Sequence, residues 1–465
     1  MDYRGGVSTM ADETRVAFVS LGCAKNLVDS EKMLGQLAQA GCAITADEDD
    51  ADVMVINTCG FLEVARAEAD EVIREAVERK SAGAVKRVVV AGCLVQRDRE
   101  TILKRIGGID ALVGVNNRDD IVRAVLGNTK SKADRSTQLF LGEYHPYVQV
   151  DDARLRLTPP HYAYLCISEG CDQRCTFCTI PAIRGRMHCK PPGVIMDEAR
   201  ELVDDGAAEL VLIGQDTTSY GLGEDRFGTH LAGLLRQLNA IDGVRWIRLM
   251  YAYPSVLTDE IIDAIAGCDR VCKYIDIPLQ HINDRILKAM HRRTNRASTE
   301  RLLQKIRDQI PGVAIRTTLI AGFPGETDGE SEELRRFIEG FRFDALGVFP
   351  YSLEPETPAG RMKGQISDAV KQERLDALML TQQKVAFELA DERIGSVMDV
   401  LVDERDETGV VVARHQGQAP CVDSVTYVAD CDAYPGEFLS VRCTGRETYD
   451  LVATPTGVVL PALGA

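Results

Sequence analysis

The sequence predicts a multidomain α/β protein. A doubly wound α/β domain comes first, a partial (β/α)6 barrel second, and a small antiparallel β-barrel of OB-like type last. Three observations predict it. Apolar strand-like runs alternate with helical patterns over residues 15–127, the alternation starts afresh over 160–365, and the pattern turns to period two after residue 396. A chain of 465 residues is also long enough for about three domains.

Each element has its own signal. RVAFVSLGC reads as a buried strand, and NLVDSEKMLGQLAQAG as a helix closed by Gly41. CAITADED is a weaker strand and DVMVINTCGF a clear one. A helix runs from Val64 to about Lys80. KRVVVAGCLVQR is a further strand, ETILKRIGG a short helix, DALVGV a strand and RDDIVRAVLG a helix. Continuous apolar strands between helices indicate a parallel sheet covered on both faces. Residues 131–156 read as a linker with a short strand pair. In the middle region HYAYLCIS, AELVLIGQD, WIRLMYAYP, KYIDIPLQ, AIRTTLIAGFPG and ALGVFPYS are strands separated by helical patterns. They make six β/α units, fewer than the eight of a full barrel. Residues 367–393 form one long helix with Ser367 as N-cap. SVMDVLVD, GVVVAR, SVTYVAD, FLSVRCT and YDLVAT then alternate as the strands of a five-stranded barrel.

Composition narrows the function. Acidic residues number 71 against 54 basic, a net charge of −17, which argues against a generic binder of nucleic acid or anionic membrane. Residues 1–13 lack the apolar run of a signal peptide and are expected to be a flexible N-terminus. No apolar stretch approaches the ~18 residues of a membrane span. A cytoplasmic protein is expected. In that reducing compartment the clustered members of its fourteen cysteines read as metal-binding or catalytic.

The strongest motif is the CxxxCxxC triplet Cys171, Cys175 and Cys178 in SEGCDQRCTFCTIPAIRG, in the loop after the first barrel strand. Barrel active sites sit at the carboxyl ends of strands. Three thiolates are one short of a closed zinc site and of full 4Fe–4S ligation; a cluster held by three leaves one iron open. Cys23, Cys59 and Cys93 form a second set. Each ends a strand of the first domain, on the sheet edge where open α/β folds bind ligands, and each has a glycine beside it (Gly22, Gly60, Gly92). That places a second three-thiolate site, again with one open iron. The remaining eight cysteines read as structural.

The triplet on a six-unit barrel resembles the radical S-adenosylmethionine superfamily. With the second triad and the domain order, nearly the whole chain resembles its methylthiotransferase family. The resemblance implies a cluster-binding domain over 14–130, a radical core over 157–393 and a TRAM domain over 396–465. It implies two 4Fe–4S clusters and two S-adenosylmethionine molecules per turnover. The cluster on Cys171, Cys175 and Cys178 generates a 5′-deoxyadenosyl radical, beside Phe177. The cluster on Cys23, Cys59 and Cys93 carries the sulfur. Strand ends such as Gln215 and Asp216, and Gly322, Gly325 and Glu326, contact S-adenosylmethionine in the superfamily. An electron donor such as a flavodoxin or ferredoxin is also implied.

The family has branches that modify tRNA adenosine and one that modifies the β-carbon of an aspartate in small-subunit ribosomal protein S-twelve. The words LIGQDTTSYG, PLQHINDRILKAMHRR and YSLEPETPAG resemble the protein-modifying branch. Charge points the same way. Residues 396–465 hold eleven acidic residues, four Arg and no Lys. Such a module repels phosphate, so RNA binding by it is not expected, and it attracts a basic ribosomal protein. Of the weaker candidates, Arg184 and Arg186 are suited to pairing with a carboxylate of cofactor or substrate. His281 is expected at the barrel mouth, and the HRRTNR run from His291 reads as a solvated helix end. The rival readings are a tRNA adenosine methylthiotransferase and, in another class, a non-catalytic iron–sulfur carrier or scaffold.

Overall fold

The computed structural model describes residues 13–127, 137–142, 153–223 and 227–459. The expected flexible N-terminus falls outside them save for Glu13, as does much of the expected linker. The chain divides into two compact units. The first takes in the described residues up to 142 together with 153–157 and 182–184; the second holds 158–181 and the described residues from 185 onward.

The first unit is built on strands β1 (Arg15–Ser20), β2 (Ala43–Thr45), β3 (Val53–Thr58), β4 (Arg87–Gly92), β5 (Ala111–Gly114) and β6 (Gln138–Phe140). All pair in parallel, in the order β2-β1-β3-β4-β5-β6. Its helices are α1 (Ala24–Gln39), α2 (Glu63–Ser81), α3 (Cys93–Asp98), α4 (Ile102–Arg105) and α5 (Ile121–Leu126). The two-residue period of the strands sorts the apolar residues between faces. Val53 and Val55 pack with Met33 and Leu37 of α1 and Ile121 of α5. Met54 and Ile56 pack with Ala69 and Ile73 of α2, Leu94 of α3 and Ile102 of α4. The sheet is therefore doubly wound, and its direction of winding reverses between β1 and β3.

Two segments differ from expectation. KRVVVAGCLVQR is not one strand: Gly92, at φ +100°, turns the chain, and Cys93 opens α3. The strand pair expected in the linker is, among the described residues, a single strand, β6, added to the sheet edge beside β5.

In the second unit the barrel strands are β7 (Tyr162–Cys166), β10 (Glu209–Ile213), β11 (Trp246–Leu249), β12 (Tyr274–Asp276), β13 (Ala314–Ala321) and β14 (Ala345–Pro350). Between β7 and β10 lies a short antiparallel pair, β8 (Ser168–Glu169) with β9 (His188–Cys189). The six barrel strands run parallel in chain order, with a bridge at Ile247 and Val271 joining the two halves. Between and after them come α6 (Ile180–Arg184), whose residues 182–184 belong to the first unit, α7 (Pro192–Asp204), α8 (Leu231–Asn239), α9 (Asp259–Gly267), α10 (Asp284–Ala289), α11 (Arg296–Gln309), α12 (Asp328–Phe341) and α13 (Asp368–Glu392). Helix α12 starts on a capping box of Thr327 and Glu330. Ser367 does stand at the N-cap of α13, but its side chain makes no capping bond.

The C-terminal strands β15 (Val397–Arg405), β16 (Val411–His415), β17 (Thr426–Val428), β18 (Phe438–Glu447) and β19 (Asp450–Val459) close a barrel in the order β15-β16-β17-β19-β18. Four of its five pairings are antiparallel; β17 and β19 pair in parallel. This barrel sits against the amino-terminal ends of the larger barrel's strands. Arg414 is buried between Glu209 (2.8 Å) and Asp403 (2.6 Å), and Arg248 also binds Glu209 (2.6 Å). Asp423 takes the Tyr274 hydroxyl at 2.8 Å and Arg316 at 3.2 Å. The opposite, carboxyl-terminal mouth is left to the cluster loop. Among the described residues no helix is long and apolar enough to cross a membrane.

Candidate active site

In the first unit the site grows from three strand ends. Cys23 is the N-cap of α1, Cys59 follows β3, and Cys93 is the first residue of α3. Since β1, β3 and β4 are neighbours, the three cysteines line one edge of the sheet, at the point where winding reverses. The glycines let the loops touch. A Cβ on Gly22 would lie 2.8 Å from Cys59 Cβ, and one on Gly60 2.7 Å from the Cys93 carbonyl carbon. Arg97, one helical turn after Cys93, donates to the carbonyls of Gly60 (2.9 Å) and Phe61 (3.2 Å) and ties the Cys59 loop to α3. Asn26, one turn after Cys23, anchors its own loop on the Leu21 carbonyl at 2.6 Å, and its Oδ1 lies 3.9 Å from Cys93 Sγ.

The three thiols differ in electrostatics. Burial pushes Cys93 up to about 11, against the pull of Arg184, and burial also raises Cys59. Around Cys23, burial acts upward too, but the Lys25 and Arg184 cations and the N–H groups of Asn26 and Lys25 outweigh it and lower its pKa. Arg184 belongs to this unit. It is buried, and its Nη2 donates to Asp29 Oδ2 at 2.7 Å and to Cys93 Sγ at 3.3 Å. The sequence suited it to a carboxylate of cofactor or substrate; the carboxylate it meets is the protein's own.

In the second unit Cys171, Cys175 and Cys178 lie in the loop closed off by the β8–β9 pair, after β7. Backbone N–H groups of Gln173 and Ile180 point at Cys171 Sγ (3.4 Å) and Cys178 Sγ (3.5 Å). Burial holds both of these thiols up to about 12. Neutral buried thiols of this kind become ligands only as metal binding drives their protons off. Cys175 Sγ receives Arg292 Nη1 at 3.6 Å and lies 4.0 Å from the Tyr253 hydroxyl; the Arg292 guanidinium stacks over the Tyr253 ring at 4.2 Å. His291 Nδ1 bonds the Arg174 carbonyl at 2.9 Å. The HRRTNR run is thus no solvated helix end at its start, because His291 and Arg292 fasten the cluster loop.

The other expected residues take varied places. Asp216 is buried, and its carboxylate accepts Gln173 Nε2 (2.9 Å), Thr218 Oγ1 (2.7 Å) and Ser219 Oγ (2.7 Å). It holds the cluster loop through Gln173. Glu326 Oε2 accepts the N–H groups of Gly322 (2.7 Å) and Phe323 (3.0 Å), folding the loop after β13 onto itself. Gly322 and Gly325, at φ +75° and +76°, make that turn feasible. Phe177 packs against Ile286, Met290, Phe323 and Tyr351. Gln215 is half-buried, and its Oε1 finds no partner among the described residues. Arg186 is exposed beside Asp172. His281 is buried after β12, where burial lowers its pKa to about 4; its Nδ1 accepts from the Asn283 N–H at 3.0 Å, while Nε2 is unpartnered among the described residues.

Both triads are sets of three soft donors. Among the described residues no group of three or more His, Cys, Asp and Glu side chains is drawn together tightly enough for a single metal ion. A cube of four irons is held by thiolates and can leave one iron open to another ligand, so the donor chemistry of each triad fits such a cluster. Sequence reasoning missed Arg292, Tyr253, Gln173, Asn26 and Arg97. Helical spacing alone marks Asn26 and Arg97, three and four residues after Cys23 and Cys93.

Comparison with known proteins adds three matched regions. Residues 15–114 match an uncharacterized protein family, UPF0004; 165–338 match the radical SAM superfamily; and 394–455 match the TRAM domain. The chain is 42% identical over 446 residues to a protein of Lachnoclostridium phytofermentans named ribosomal protein uS12 methylthiotransferase RimO, covering 95% of this chain and 99% of that one. Proteins of the same name from Anaeromyxobacter sp. strain K and Clostridioides difficile are 43% and 41% identical, each over 94% of this chain and over 92% and 98% of their own. In fold the chain is similar to TsrM of Kitasatospora setae, a radical S-adenosylmethionine methyltransferase solved with cobalamin and a [4Fe-4S] cluster. The TM-score is 0.56 at 15% identity, covering 75% of this chain and 77% of that one.

Proposed function

This chain belongs to the RimO family of ribosomal protein uS12 methylthiotransferases, and on that premise we propose that it methylthiolates the β-carbon of an aspartate of uS12. It is a radical S-adenosylmethionine enzyme with two 4Fe–4S clusters. The observation that carries the reading is the pairing, in one chain, of two cysteine triads, each at the carboxyl edge of a parallel sheet.

Cys171, Cys175 and Cys178 are the proposed ligands of one cluster, and Cys23, Cys59 and Cys93 of the other. When bound, the clusters and two S-adenosylmethionine molecules supply the radical, the sulfur and the methyl group. The chain's own residues position and shield. Arg292 and Tyr253 hold Cys175, and Asp216 holds Gln173 between Cys171 and Cys175. Gln215, whose Oε1 has no partner among the described residues, and the Gly322–Gly325 turn are the proposed seat of S-adenosylmethionine, beside Phe177. Asp216 and Glu326, whose oxygens already serve the protein, act by shaping the two loops.

The C-terminal barrel supports a basic protein substrate. Tyr427 is ringed by Asp450, Glu447, Asp406 and Glu404, whose combined field raises its phenol pKa. The barrel's four arginines are engaged within the protein: Arg414 as above, Arg405 with Asp432, Arg446 with Asp391 and Arg442 with the Gly395 carbonyl. Such a surface favours a Lys/Arg-rich partner over RNA. A flavodoxin or ferredoxin as reductant and a cytoplasmic location complete the proposal. Mass spectrometry of uS12 and of tRNA from cells lacking the gene tests it. The methylthio group is expected to vanish from uS12 and tRNA to stay unchanged. Loss from tRNA adenosine with uS12 intact would assign the activity to the other branch.

A further inference from the structure

A chain of buried charges leads to Cys93. Arg118, Asp29 and Arg184 are 6%, 3% and 4% exposed, and all belong to the first unit. Arg118 pairs with Asp29 Oδ1, Arg184 Nη2 with Asp29 Oδ2 at 2.7 Å, and the same nitrogen reaches Cys93 Sγ at 3.3 Å. A guanidinium gripped by a buried carboxylate is thus set against a thiol at the sheet edge.

A four-iron cluster carried by three thiolates is anionic, and each electron it accepts makes it more so. Hydrogen bonds to the ligand sulfurs and nearby cations favour the reduced form and raise the potential. We propose that Arg184, anchored by Asp29 and Arg118, is a positioning residue that sets the reduction potential of the cluster on Cys23, Cys59 and Cys93 through its hydrogen bond to Cys93. The proposal rests on the reading of that triad as a cluster site. Asp29 fixes the direction of the fork, so the contact with sulfur needs an arginine: a lysine carries the charge but a single point of attachment.

The test uses the full chain with Cys171, Cys175 and Cys178 replaced by Ala, so that iron loads on the first triad alone. It is reconstituted anaerobically with iron and sulfide and titrated under electron paramagnetic resonance. With Arg184 intact, the expected outcome is one reducible cluster. Arg184→Gln is expected to retain its iron and to make reduction about tenfold less favourable, a downward shift of ~59 mV for one electron. Arg184→Lys falls between the two. Full iron with an unchanged potential in Arg184→Gln overturns the proposal. Should Arg184→Gln not hold iron, Arg184→Lys decides: a lowered potential supports the proposal and an unchanged one overturns it. Failure of the Arg184 protein to load any cluster would instead remove the assignment of the triad itself.

Discussion

Gly60 has no side chain because the backbone of Cys93 occupies the space one would need. A methyl there would lie 2.7 Å from the Cys93 carbonyl carbon and oxygen, and backbone cannot swing aside as a side chain does. Gly60→Ala is expected to cost about 1–3 kcal/mol through overpacking and to halve the iron retained after reconstitution. Gly83→Ala is the control: it has φ +83° but open space around it, so it is expected to lower stability slightly and to keep its iron. Iron analysis beside thermal melts reads both. At this scale the sequence marked the cysteines at strand ends as candidate donors, since thiols there have few other uses in such numbers. It did not reveal their supports. Arg292 sits in a basic run that looks solvated, and only folding brings it under Cys175. Asp216 presents the same letters whether it meets a cofactor or its neighbours.

The secondary-structure elements were the most legible level, because continuous apolar strands and amphipathic helices carry different periods. The misreading at KRVVVAGCLVQR came from a single glycine: the apolar run continues past Gly92 while the backbone does not. Nothing in the residue pattern signals, either, that the C-terminal barrel plugs the amino-terminal ends of the larger one. That contact depends on Glu209, Arg248 and Arg414, of which Glu209 and Arg414 lie 205 positions apart. Arg414→Ala leaves Glu209 and Asp403 without their shared cation, and a loss of about 3–5 kcal/mol in denaturant unfolding is expected. Beside it lies His415, buried, with its pKa lowered to about 3 by burial first and then by Arg393, Arg248 and Arg414. A histidine whose folded pKa lies below its unfolded value near 6.5 contributes stability above pH 6.5 and loses it as pH falls toward the folded value. The protein is thus expected to lose stability between pH 6.5 and about 3, and His415→Asn to lessen that slope. Melting temperatures of the two proteins across this range check the expectation.

For the whole molecule, the net charge of −17 is uneven. Residues 396–465 carry −7 of it, against −4 in 1–150 and −6 in 151–395. The structure sharpens that distribution, since Asp403 and Asp423 are spent on internal pairs and the outward field comes from the carboxylates around Tyr427 and their neighbours. The succession of sheet patterns and the placing of Cys23, Cys59 and Cys93 at strand ends were readable from the chain because each rests on local pattern. Which substrate the enzyme serves was readable only in part, since it depends on a surface assembled from distant strands.

We propose that the two cysteine triads divide the work, one making the radical and the other delivering sulfur. The most direct measurement is 5′-deoxyadenosine release and methylthio transfer to uS12 by Cys59→Ala and Cys175→Ala, each reduced anaerobically after reconstitution and each confirmed folded. Cys59→Ala is expected still to release 5′-deoxyadenosine and to transfer no sulfur, whereas Cys175→Ala is expected to do neither. Equal loss of 5′-deoxyadenosine release in the two folded variants would contradict it.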